Sequence, residues 1–429
     1  MEVLSVMVQC RRGRERDGMG RTVMIFAAGS RGDVQPCVAL GRELIRCGNR
    51  VRIVASVRHS PLIGEAGIDF HPLVADPAEI IESAEGRELL ETGRNPVSFI
   101  LGMRRVLSPH IANLLEQTQA GAKGADLVLA PSFGFLGVHL GQFLRVPHAI
   151  IHFQPSQPTR KFPHPLMPAA KLLGSLGNRL SFDAVDAGSW LMFRPFIKEW
   201  RRQGLGLPAL SLRASMRRIR RAPVLCAFSS SIVPRPPDWG RNVHMTGFWH
   251  HEEPSWEPSR QLLDFLADGP PPVYFGFGSM TPKDPAATSE LVREALRRAG
   301  LRGVLAGLPG ASEPDMLAVR ETPHHWLFPR MAAIIHHGGA GTTAAALRAG
   351  KPSLVCPFFG DQFYWADRVH GLGAGPKPLP ARSLTASNLT QRLRILTGTA
   401  YADAASRLGR ALSSENGVSQ ACRVLNTYL

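Results

Sequence analysis

The sequence is poor in acidic residues, in clustered cysteines and in long apolar runs. Its 429 residues carry 34 Asp and Glu against 50 Lys and Arg, a formal net charge of +16. This excess favours anionic partners such as nucleotide diphosphates or acidic lipid head groups, although an arginine-rich surface explains most of it. The six cysteines are scattered without zinc-type spacing, which is typical of reduced core residues in a cytoplasmic protein.

A secretory signal is also missing. The apolar stretch 1–10 precedes the charged stretch 11–17, which is the reverse of the order in a signal peptide. No uninterrupted apolar run reaches the length of a membrane span. We expect residues 1–20 to be a disordered extension of a cytoplasmic protein, with association at a membrane surface as an alternative.

The first half of the chain opens with a βαβ pattern. Residues 22–27 are a compact apolar run, typical of a buried strand, and residues 34–47 have the periodicity of a helix. A second apolar strand follows at 51–55. This alternation predicts an α/β fold with a parallel sheet, and the length of the chain favours two domains.

A glycine-rich segment in the second half predicts an anion site. An apolar strand ends at Ile335, the glycines Gly338, Gly339 and Gly341 follow, and a helix is expected over 342–348. A strand, a tight turn and a helix start present free N–H groups to an anion. His337 adds a ring nitrogen there, or is an ordinary capping histidine.

A polar pair follows the next predicted strand. The apolar run 353–356 leads to Asp361 and Gln362, at the edge of a parallel sheet where ligands bind. A phosphate site beside a carboxylate and an amide suits a nucleotide-activated sugar, whose hydroxyls need both donors and acceptors.

This ordered combination resembles the donor-binding signature of family 1 glycosyltransferases. The run Phe-Phe-Gly-Asp-Gln-Phe-Tyr-Trp-Ala-Asp-Arg-Val is similar to the branch that holds sterol glucosyltransferases and bacterial natural-product glycosyltransferases. The resemblance implies the GT-B architecture, in which two Rossmann-like domains face each other across a cleft. It also implies a nucleotide-sugar co-substrate, no cofactor and no metal, and the sequence has no Asp-x-Asp metal motif in a suitable loop.

The resemblance divides the chain by function. It implies an N-terminal acceptor-binding domain over 21–233 and a C-terminal nucleotide-sugar-binding domain over 259–403. Prolines between them favour a linker over 234–258. The last segment, 404–429, is expected to be helical and to cross back onto the N-terminal domain.

The loop Gly-Ser-Arg-Gly-Asp-Val-Gln-Pro after the first strand also matches this family. Its spacing is not that of a dinucleotide fingerprint, which argues against hydride transfer. The resemblance implies that Asp33 is the general base that deprotonates the acceptor hydroxyl. The alternative is that Asp33 is the N-cap of the helix that follows.

Two further donor-site residues follow from the resemblance. Ser279, in the turn Gly-Phe-Gly-Ser-Met, is expected to approach the diphosphate, or alternatively to cap the next helix. Trp326 is expected to stack on the nucleobase. Ala345 stands where the plant pattern has a glutamate that holds the ribose, so the choice between uridine and thymidine diphosphate stays open.

The irregular part of the first half is expected to surround the acceptor. His152, Gln154, Phe162 and His164 are the candidates for its pocket. The basic and aromatic stretch 190–221 has three interpretations: a wall of this pocket, a contact with an anionic membrane, or an ordinary amphipathic helix.

The sequence therefore predicts an inverting glycosyltransferase that moves a hexose, glucose first, from a UDP- or TDP-sugar to a lipophilic alcohol or phenol. A catalytically silent homologue that activates a partner glycosyltransferase and a nucleotide-sugar epimerase are the alternatives. No nucleic-acid partner is expected, because the charge is spread and no binding motif is present. The oligomeric state is not visible in the sequence.

Overall fold

The computed structural model describes residues 20–74, 96–131, 134–251, 256–278, 280, 284–320 and 322–429. The side chains of residues 96–100 and of residue 103 are outside this description. Two predictions concern residues that are also outside it. One is the extension up to residue 19, and the other is the role of Ser279.

The first sheet has seven strands: β1 (Thr22–Phe26), β2 (Arg50–Ser56), β3 (Asp69–Leu73), β4 (Leu127–Ala130), β5 (His148–His152), β6 (Val224–Cys226) and β7 (Val243–Met245). They lie in the order β3-β2-β1-β4-β5-β6-β7, and every pairing is parallel. All residues of β1 and β4 are buried, because helices cover both faces of the sheet. This is why these strands are continuous apolar runs in the sequence.

The second sheet has five strands: β8 (Val273–Gly276), β9 (Gly303–Ala306), β10 (Met316–Val319), β11 (Ala333–His336) and β12 (Ser353–Val355). Their order is β10-β9-β8-β11-β12, and again every pairing is parallel. Two parallel sheets with helical connections confirm the predicted α/β class.

Helices connect the strands: α1 (Arg31–Arg46), α2 (Ser60–Gly64), α3 (Pro96–Gly121), α4 (Phe135–Leu144), α5 (Gly174–Glu199), α6 (Leu212–Arg221), α7 (Arg260–Ala267), α8 (Pro285–Ala299), α9 (His324–Leu327), α10 (Ala340–Arg348), α11 (Gln362–Gly371), α12 (Ala386–Leu396), α13 (Thr399–Ser413) and α14 (Gly417–Leu425). In the described ranges, no helix combines the length and the apolar character that a bilayer-spanning helix needs.

One strand lies where the sequence predicts a linker. Strand β7 falls inside the range 234–258 and pairs with β6, so part of the segment predicted to be a linker belongs to the first sheet. Only three residues of β7 pair, and prolines surround them in sequence. A strand this short has no alternating pattern long enough to identify it.

Two helices from the end of the chain join the two sheets. Helix α13 packs on α10, beside the second sheet, whereas α14 packs on α1 beside the first. In the latter contact, Ser419 Oγ donates to Glu43 at 2.7 Å, and Leu425 enters the apolar core of the first sheet. Helix α13 runs through residue 403, where the sequence places a domain boundary. The boundaries themselves stay predictions.

Helix α11 makes a second connection between the sheets. The Arg368 guanidinium donates from Nε to the carbonyl oxygen of Ile232 at 2.9 Å. Beside it the Trp365 ring is fully buried and contacts the rings of Phe228 and Phe248, with centroids 6.3 and 6.1 Å away. A charged hydrogen bond and a buried aromatic cluster therefore hold helix α11 against the first domain.

The start of α14 generates a prediction about stability. A Cβ on Gly417 would lie 2.3 Å from the carbonyl oxygen of Phe248 and 2.8 Å from that of Gly247, so the backbone would have to move to accept it. We expect Gly417→Ala to lower the free energy of unfolding by about 1–3 kcal/mol, as overpacking does elsewhere. Denaturant unfolding measures this. Gly371→Ala is the matched control, since a Cβ there meets nothing within 4 Å; equal stability of the two variants would contradict the prediction.

Candidate active site

The carboxyl ends of both sheets open into one cavity of about 2910 Å³. Its walls are the residues that follow β1, β4 and β5 in the first sheet and β8, β9, β11 and β12 in the second. This volume exceeds the roughly 300–1,000 Å³ of a typical small-molecule site, so the cavity has room for two substrates. A cavity at the ligand edge of two facing sheets is the expected place for a transfer reaction.

Asp33 lies in the wall contributed by the first sheet. Helix α1 begins at Arg31, three residues earlier than predicted, so Ser30 is the N-cap and the interpretation of Asp33 as the N-cap is wrong. The Asp33 carboxylate instead reaches back from the third helical position. Its Oδ2 accepts hydrogen bonds from the Ser30 N–H at 2.9 Å and from the Ser30 hydroxyl at 3.0 Å.

The turn before Asp33 has no room for a side chain. Gly29 has a φ of 152°, and a Cβ there would lie 2.4 Å from Asp33 Oδ2. The carbonyl oxygen of Gly29 is 3.1 Å from His59 Nε2. The glycine therefore allows the chain to pass close over the carboxylate and hold it against the helix start.

The glycine-rich turn predicted to bind an anion lies between β11 and the start of α10. Gly338 has a φ of 96°, and a Cβ there would lie 2.7 Å from Val355 Cγ1. Gly339 is the N-cap of α10, and Gly341 and Thr342 in the first turn of this helix line the cavity. The free N–H groups and the positive end of this helix thus face the cavity, which suits a diphosphate.

His337 lies beside this helix start. A Cβ on Gly339 would come within 2.5 Å of His337 Nε2, so only glycine lets the ring sit this close to the backbone. Burial lowers the pKa of His337 to about 4, which keeps the ring neutral at pH 7. Its Nδ1 is buried and has no hydrogen-bond partner among the described residues. A buried nitrogen without a partner costs free energy that a bound ligand or an ordered water would recover.

Asp361 and Gln362 line the same cavity from the loop after β12. Gln362 Oε1 accepts from the N–H of Phe358 at 2.7 Å and of Phe359 at 3.3 Å, which shapes the loop and leaves the amide nitrogen as the donor. Asp361 Oδ2 accepts from Trp365 Nε1 at 2.9 Å. The pair therefore presents a carboxylate and an amide group from a fixed loop.

The Asp361 carboxyl is electrostatically coupled to Asp33. Burial raises the pKa of Asp361 to about 6, the hydrogen bond from Trp365 lowers it, and the negative charge of Asp33 raises it further. Two carboxylates from different sheets thus belong to one site. Ionising Asp361 above pH 6 costs the protein free energy, a cost that is typical of functional positions.

Three of the four predicted acceptor residues, His152, Gln154 and His164, line the first domain's side of the cavity. Burial lowers the pKa of His152 and of His164 to about 4, so both rings are neutral at pH 7. Phe162 does not line the cavity. It packs against Phe182 and Tyr364, because the proline-rich loop turns it away from the opening.

Comparison with known proteins agrees with this geometry. The Glycosyltransferase family 28 N-terminal domain matches residues 23–128, and the C-terminal domain of erythromycin biosynthesis protein CIII-like proteins matches residues 305–422. A sterol 3-beta-glucosyltransferase of Arabidopsis thaliana is 33% identical over 425 residues, which cover 95% of this chain and 68% of the plant protein.

The chain belongs to the glycosyltransferase family that includes the sterol 3-beta-glucosyltransferases.

The relatives differ in length. A sterol 3-beta-glucosyltransferase of Neosartorya fischeri is also 33% identical, over 94% of this chain but only 29% of the fungal protein. Among solved structures, the calicheamicin glycosyltransferase CalG4 aligns with a TM-score of 0.70 at 18% identity, covering 96% of this chain and 99% of that one. The fold is therefore the GT-B architecture that the motifs predict.

Trp326, which the resemblance implies stacks on the nucleobase, does not line the cavity. Its ring lies 5.2 Å from the Trp256 ring, and the Arg330 guanidinium covers it at 4.1 Å. Trp326 is half-buried against the core of the second sheet, whereas its neighbours His324 and His325 line the cavity. His324 stacks on Phe328 at 4.2 Å, and burial lowers the pKa of His324 to about 4.

The structure adds Trp256 to the cavity and singles out Arg201 within the stretch 190–221, for which a wall of the acceptor pocket was one interpretation. On the second domain's side, Trp256 lines the cavity, although the sequence places it in the predicted linker. On the first domain's side, Arg201 is fully buried and reaches the cavity. It donates to His139 Nδ1 at 2.9 Å and to Gln142 Oε1 at 3.1 Å. Trp256 lies among prolines and Arg201 lies in a basic run, so nothing in the sequence distinguishes either residue from its neighbours.

The described residues contain no group of three His, Cys, Asp or Glu side chains placed to hold a metal ion. The expectation that the reaction needs neither metal nor cofactor stays a prediction. The helix α10 N-terminus and the ring of His337 are among the cavity groups that favour a negative charge, together with lining arginines such as Arg320 and Arg348.

Asp361 generates a prediction about pH and stability. Because its pKa in the folded protein is raised, the folded state binds the proton more tightly, and stability falls as the pH rises from about 4 through about 6. We expect Asp361→Asn to unfold at higher denaturant concentration than the parent protein at pH 7.5. The gain is about 1–2 kcal/mol after discounting for solvent screening, and it disappears at pH 4.

The control for this prediction is Asp367→Asn, an exposed carboxyl on the same helix. Asparagine at 361 keeps an oxygen that accepts from Trp365, so the local fold is preserved. A variant that is less stable than the parent at pH 7.5 would show that the Asp361 charge stabilises the folded state instead.

Proposed function

We propose that this glycosyltransferase transfers a hexose, glucose first, from a UDP- or TDP-sugar to a hydroxyl group of a lipophilic acceptor, with inversion at the anomeric carbon. The observation that carries the proposal is a single cavity with Asp33 on one wall and the helix α10 start, His337, Asp361 and Gln362 on the other. These groups supply an anion site, a sugar site and a base in one enclosed space.

The second domain suits the donor. The N–H groups at the start of α10 bind the diphosphate, and neutral His337 donates a hydrogen bond to it. As the bond between the sugar and the diphosphate breaks, negative charge grows on the leaving oxygen. Donors that are already in place stabilise that charge without reorganising, which lowers the barrier.

Asp361 and Gln362 suit the sugar. The Asp361 carboxylate accepts hydrogen bonds from two hydroxyl groups, and the Gln362 amide nitrogen, whose oxygen already holds the loop, donates one. A hexose with intact 3- and 4-hydroxyl groups satisfies both side chains, whereas a deoxysugar leaves one of them unpaired in a buried site. This supports glucose over a deoxysugar.

Asp33 suits the general base. The acceptor hydroxyl must lose its proton while its oxygen attacks the anomeric carbon, and the Asp33 carboxylate takes that proton. The Ser30 N–H and hydroxyl hold Oδ2 in place, so the base is oriented before the acceptor arrives. Attack from the Asp33 wall on a sugar whose diphosphate lies on the opposite wall inverts the anomeric centre.

The acceptor side of the cavity is largely apolar. Its wall in the first domain includes Leu107, Ile150, Val185, Trp190, Met192, Phe193 and Ile197. Such a wall binds a lipophilic body and leaves its hydroxyl to the polar groups around Asp33. The relatives named as sterol glucosyltransferases support a sterol-like acceptor, and polyketide and phenolic alcohols are also compatible with this wall.

The alternatives have less support. A silent homologue has no need for a base held by two hydrogen bonds beside a complete sugar loop. An epimerase releases no glycoside and has no use for an apolar wall beside Asp33. An enclosed site that admits both substrates also excludes the water that would hydrolyse the donor.

The donor site is tested by calorimetric titration with UDP-glucose and with TDP-glucose. We expect one of the two to bind, and His337→Ala to weaken that binding about 10–100-fold, the loss expected for a hydrogen bond to a charged group. His110→Ala is the control, because this exposed histidine on α3 does not line the cavity. An unchanged dissociation constant in His337→Ala would rule out its contact with the diphosphate.

The base is tested with Asp33→Asn. Asparagine keeps an oxygen that accepts from the Ser30 N–H, so helix α1 stays capped, but its amide cannot take a proton. We expect turnover to fall about 10²–10⁴-fold while donor binding is unchanged. Turnover is measured with the acceptor that a screen of sterols, polyketides and phenols identifies. Turnover equal to that of the parent would remove Asp33 as the base.

A further inference from the structure

Five leucines are exposed on one short stretch at the edge of the first domain. They lie in the 3₁₀ helix Pro168–Leu173, in the first turns of α5 and just before them. Leu172 is 82% exposed, Leu173 75% and Leu176 65%. We call this surface the leucine patch; its members are Leu166, Leu172, Leu173, Leu176 and Leu180. Soluble proteins rarely leave so many large apolar side chains together in water without a partner.

The patch rests on a well-anchored base. A Cβ on Gly177 would lie 2.4 Å from both the Ala170 carbonyl oxygen and Leu173 Cβ, so the 3₁₀ helix and α5 pack in direct contact. The Asn178 amide donates to the Arg160 carbonyl oxygen at 3.0 Å. Buried hydrogen bonds therefore fix the shape of this surface while its leucines point outward.

A further anchor holds the preceding loop. The hydroxyl of buried Thr159 donates to Asp238 at 2.7 Å, and the Arg160 N–H donates to the same carboxylate at 2.8 Å. These bonds lower the pKa of Asp238, which keeps it charged and paired. The exposure of the leucines is thus a property of a fixed surface.

Cations predominate around the patch. Residues 154–182 contain Arg160, Lys161, Lys171 and Arg179 and no Asp or Glu. Two neighbouring carboxylates are already paired: Asp183 with Arg179 at 3.1 Å, and Asp238 with Thr159 and the Arg160 N–H. Arg160, Lys161 and Lys171 are exposed. Apolar side chains surrounded by cations are the chemistry that binds an anionic bilayer surface, because leucines enter the acyl boundary and cations meet the phosphates.

The patch borders the mouth of the cavity. Leu166 belongs to the patch and also lines the cavity. Its Cδ2 lies 3.8 Å from the position of a Cβ on Gly360, in the loop that carries Asp361. Phe359, in the same loop, is exposed and lines the cavity as well. A surface that contacts the leucine patch therefore lies next to residues of the cavity wall, Leu166 and Phe359.

We propose that the leucine patch docks on the surface of an anionic membrane, and that a lipophilic acceptor passes from the bilayer directly into the cavity. The second half of this statement rests on the proposed transferase function; the docking does not. The occupant is a bilayer because the net charge of +16 opposes pairing with a second copy of the chain, whereas an anionic surface attracts it.

This location differs from the stretch 190–221, which the sequence offers as a membrane contact. Phe193 and Trp200 in that stretch are buried against α3 and α4, and Trp190 faces the cavity with the Arg194 guanidinium 4.9 Å from its ring. These aromatic side chains are already engaged within the protein. The leucines just before them are not.

The test is sedimentation of the full chain with vesicles of equal parts phosphatidylcholine and phosphatidylglycerol, and with vesicles of phosphatidylcholine alone. We expect the parent chain to bind the anionic vesicles. The triple variant Leu172→Ser, Leu173→Ser, Leu176→Ser should bind them with an affinity at least about tenfold lower, because it lacks three leucines that insert into the bilayer. Lys161→Gln with Lys171→Gln should weaken binding to the anionic vesicles only. None of these side chains lines the cavity.

The matched control replaces three exposed apolar residues elsewhere, Leu101→Ser, Leu263→Ser and Ile395→Ser. It should bind vesicles like the parent chain. The proposal is overturned if the parent chain binds neither kind of vesicle, or if the patch variant binds vesicles as the parent does. It is also overturned if the parent and control chains are dimers and the patch variant is a monomer.

Donor titration separates this proposal from the transferase function. The patch variant should bind the sugar nucleotide with the affinity of the parent chain. If neither chain binds a donor while vesicle binding depends on the patch, the transferase proposal fails and the docking surface stands. If donor binding is normal and vesicle binding does not depend on the patch, the reverse holds.

Discussion

The candidate site depends on the contacts that hold the two sheets with their carboxyl ends on one cavity. Two contacts hold helix α11 against the first domain. Trp365 packs in an aromatic cluster with Phe228 and Phe248, and Arg368 donates to the carbonyl oxygen of Ile232. The packing of the C-terminal helix α14 on α1 is a further contact of this kind. These contacts keep the carboxyl ends of the two parallel sheets around one cavity.

Burial then sets the electrostatics of the cavity. The histidines His152, His164, His324 and His337 are all neutral at pH 7 because burial disfavours their charged forms. The same burial makes ionised Asp361 costly. The start of helix α10 therefore faces a cavity in which these four imidazoles add no positive charge at pH 7. The raised pKa of Asp361 means that its ionised form lowers the stability of the folded protein.

How far the sequence leads depends on how local the determining interaction is. The strands, the glycine turn before α10 and the position of Asp361 follow from apolar runs and from glycines that local backbone geometry requires. Phe162 was assigned by its place in an irregular segment and Trp326 by resemblance to the family, and neither side chain lines the cavity. Side-chain direction in a proline-rich loop or in a four-residue helix depends on packing partners distant in sequence. Strand β7 was missed for a related reason: its pairing partner, not its own three residues, makes it a strand.

The sequence by itself determined the α/β class, the parallel strands and the order of the donor motifs, because buried strands need apolar runs and tight turns need glycine. It also determined that Asp33 follows the first strand. Only the tertiary structure decided that Asp33 and Asp361 share one electrostatic site, that Arg201 and Trp256 reach the cavity, and that five leucines stay in water beside its mouth. Each of these facts depends on distances between segments far apart in the chain, and no periodicity or motif records such distances.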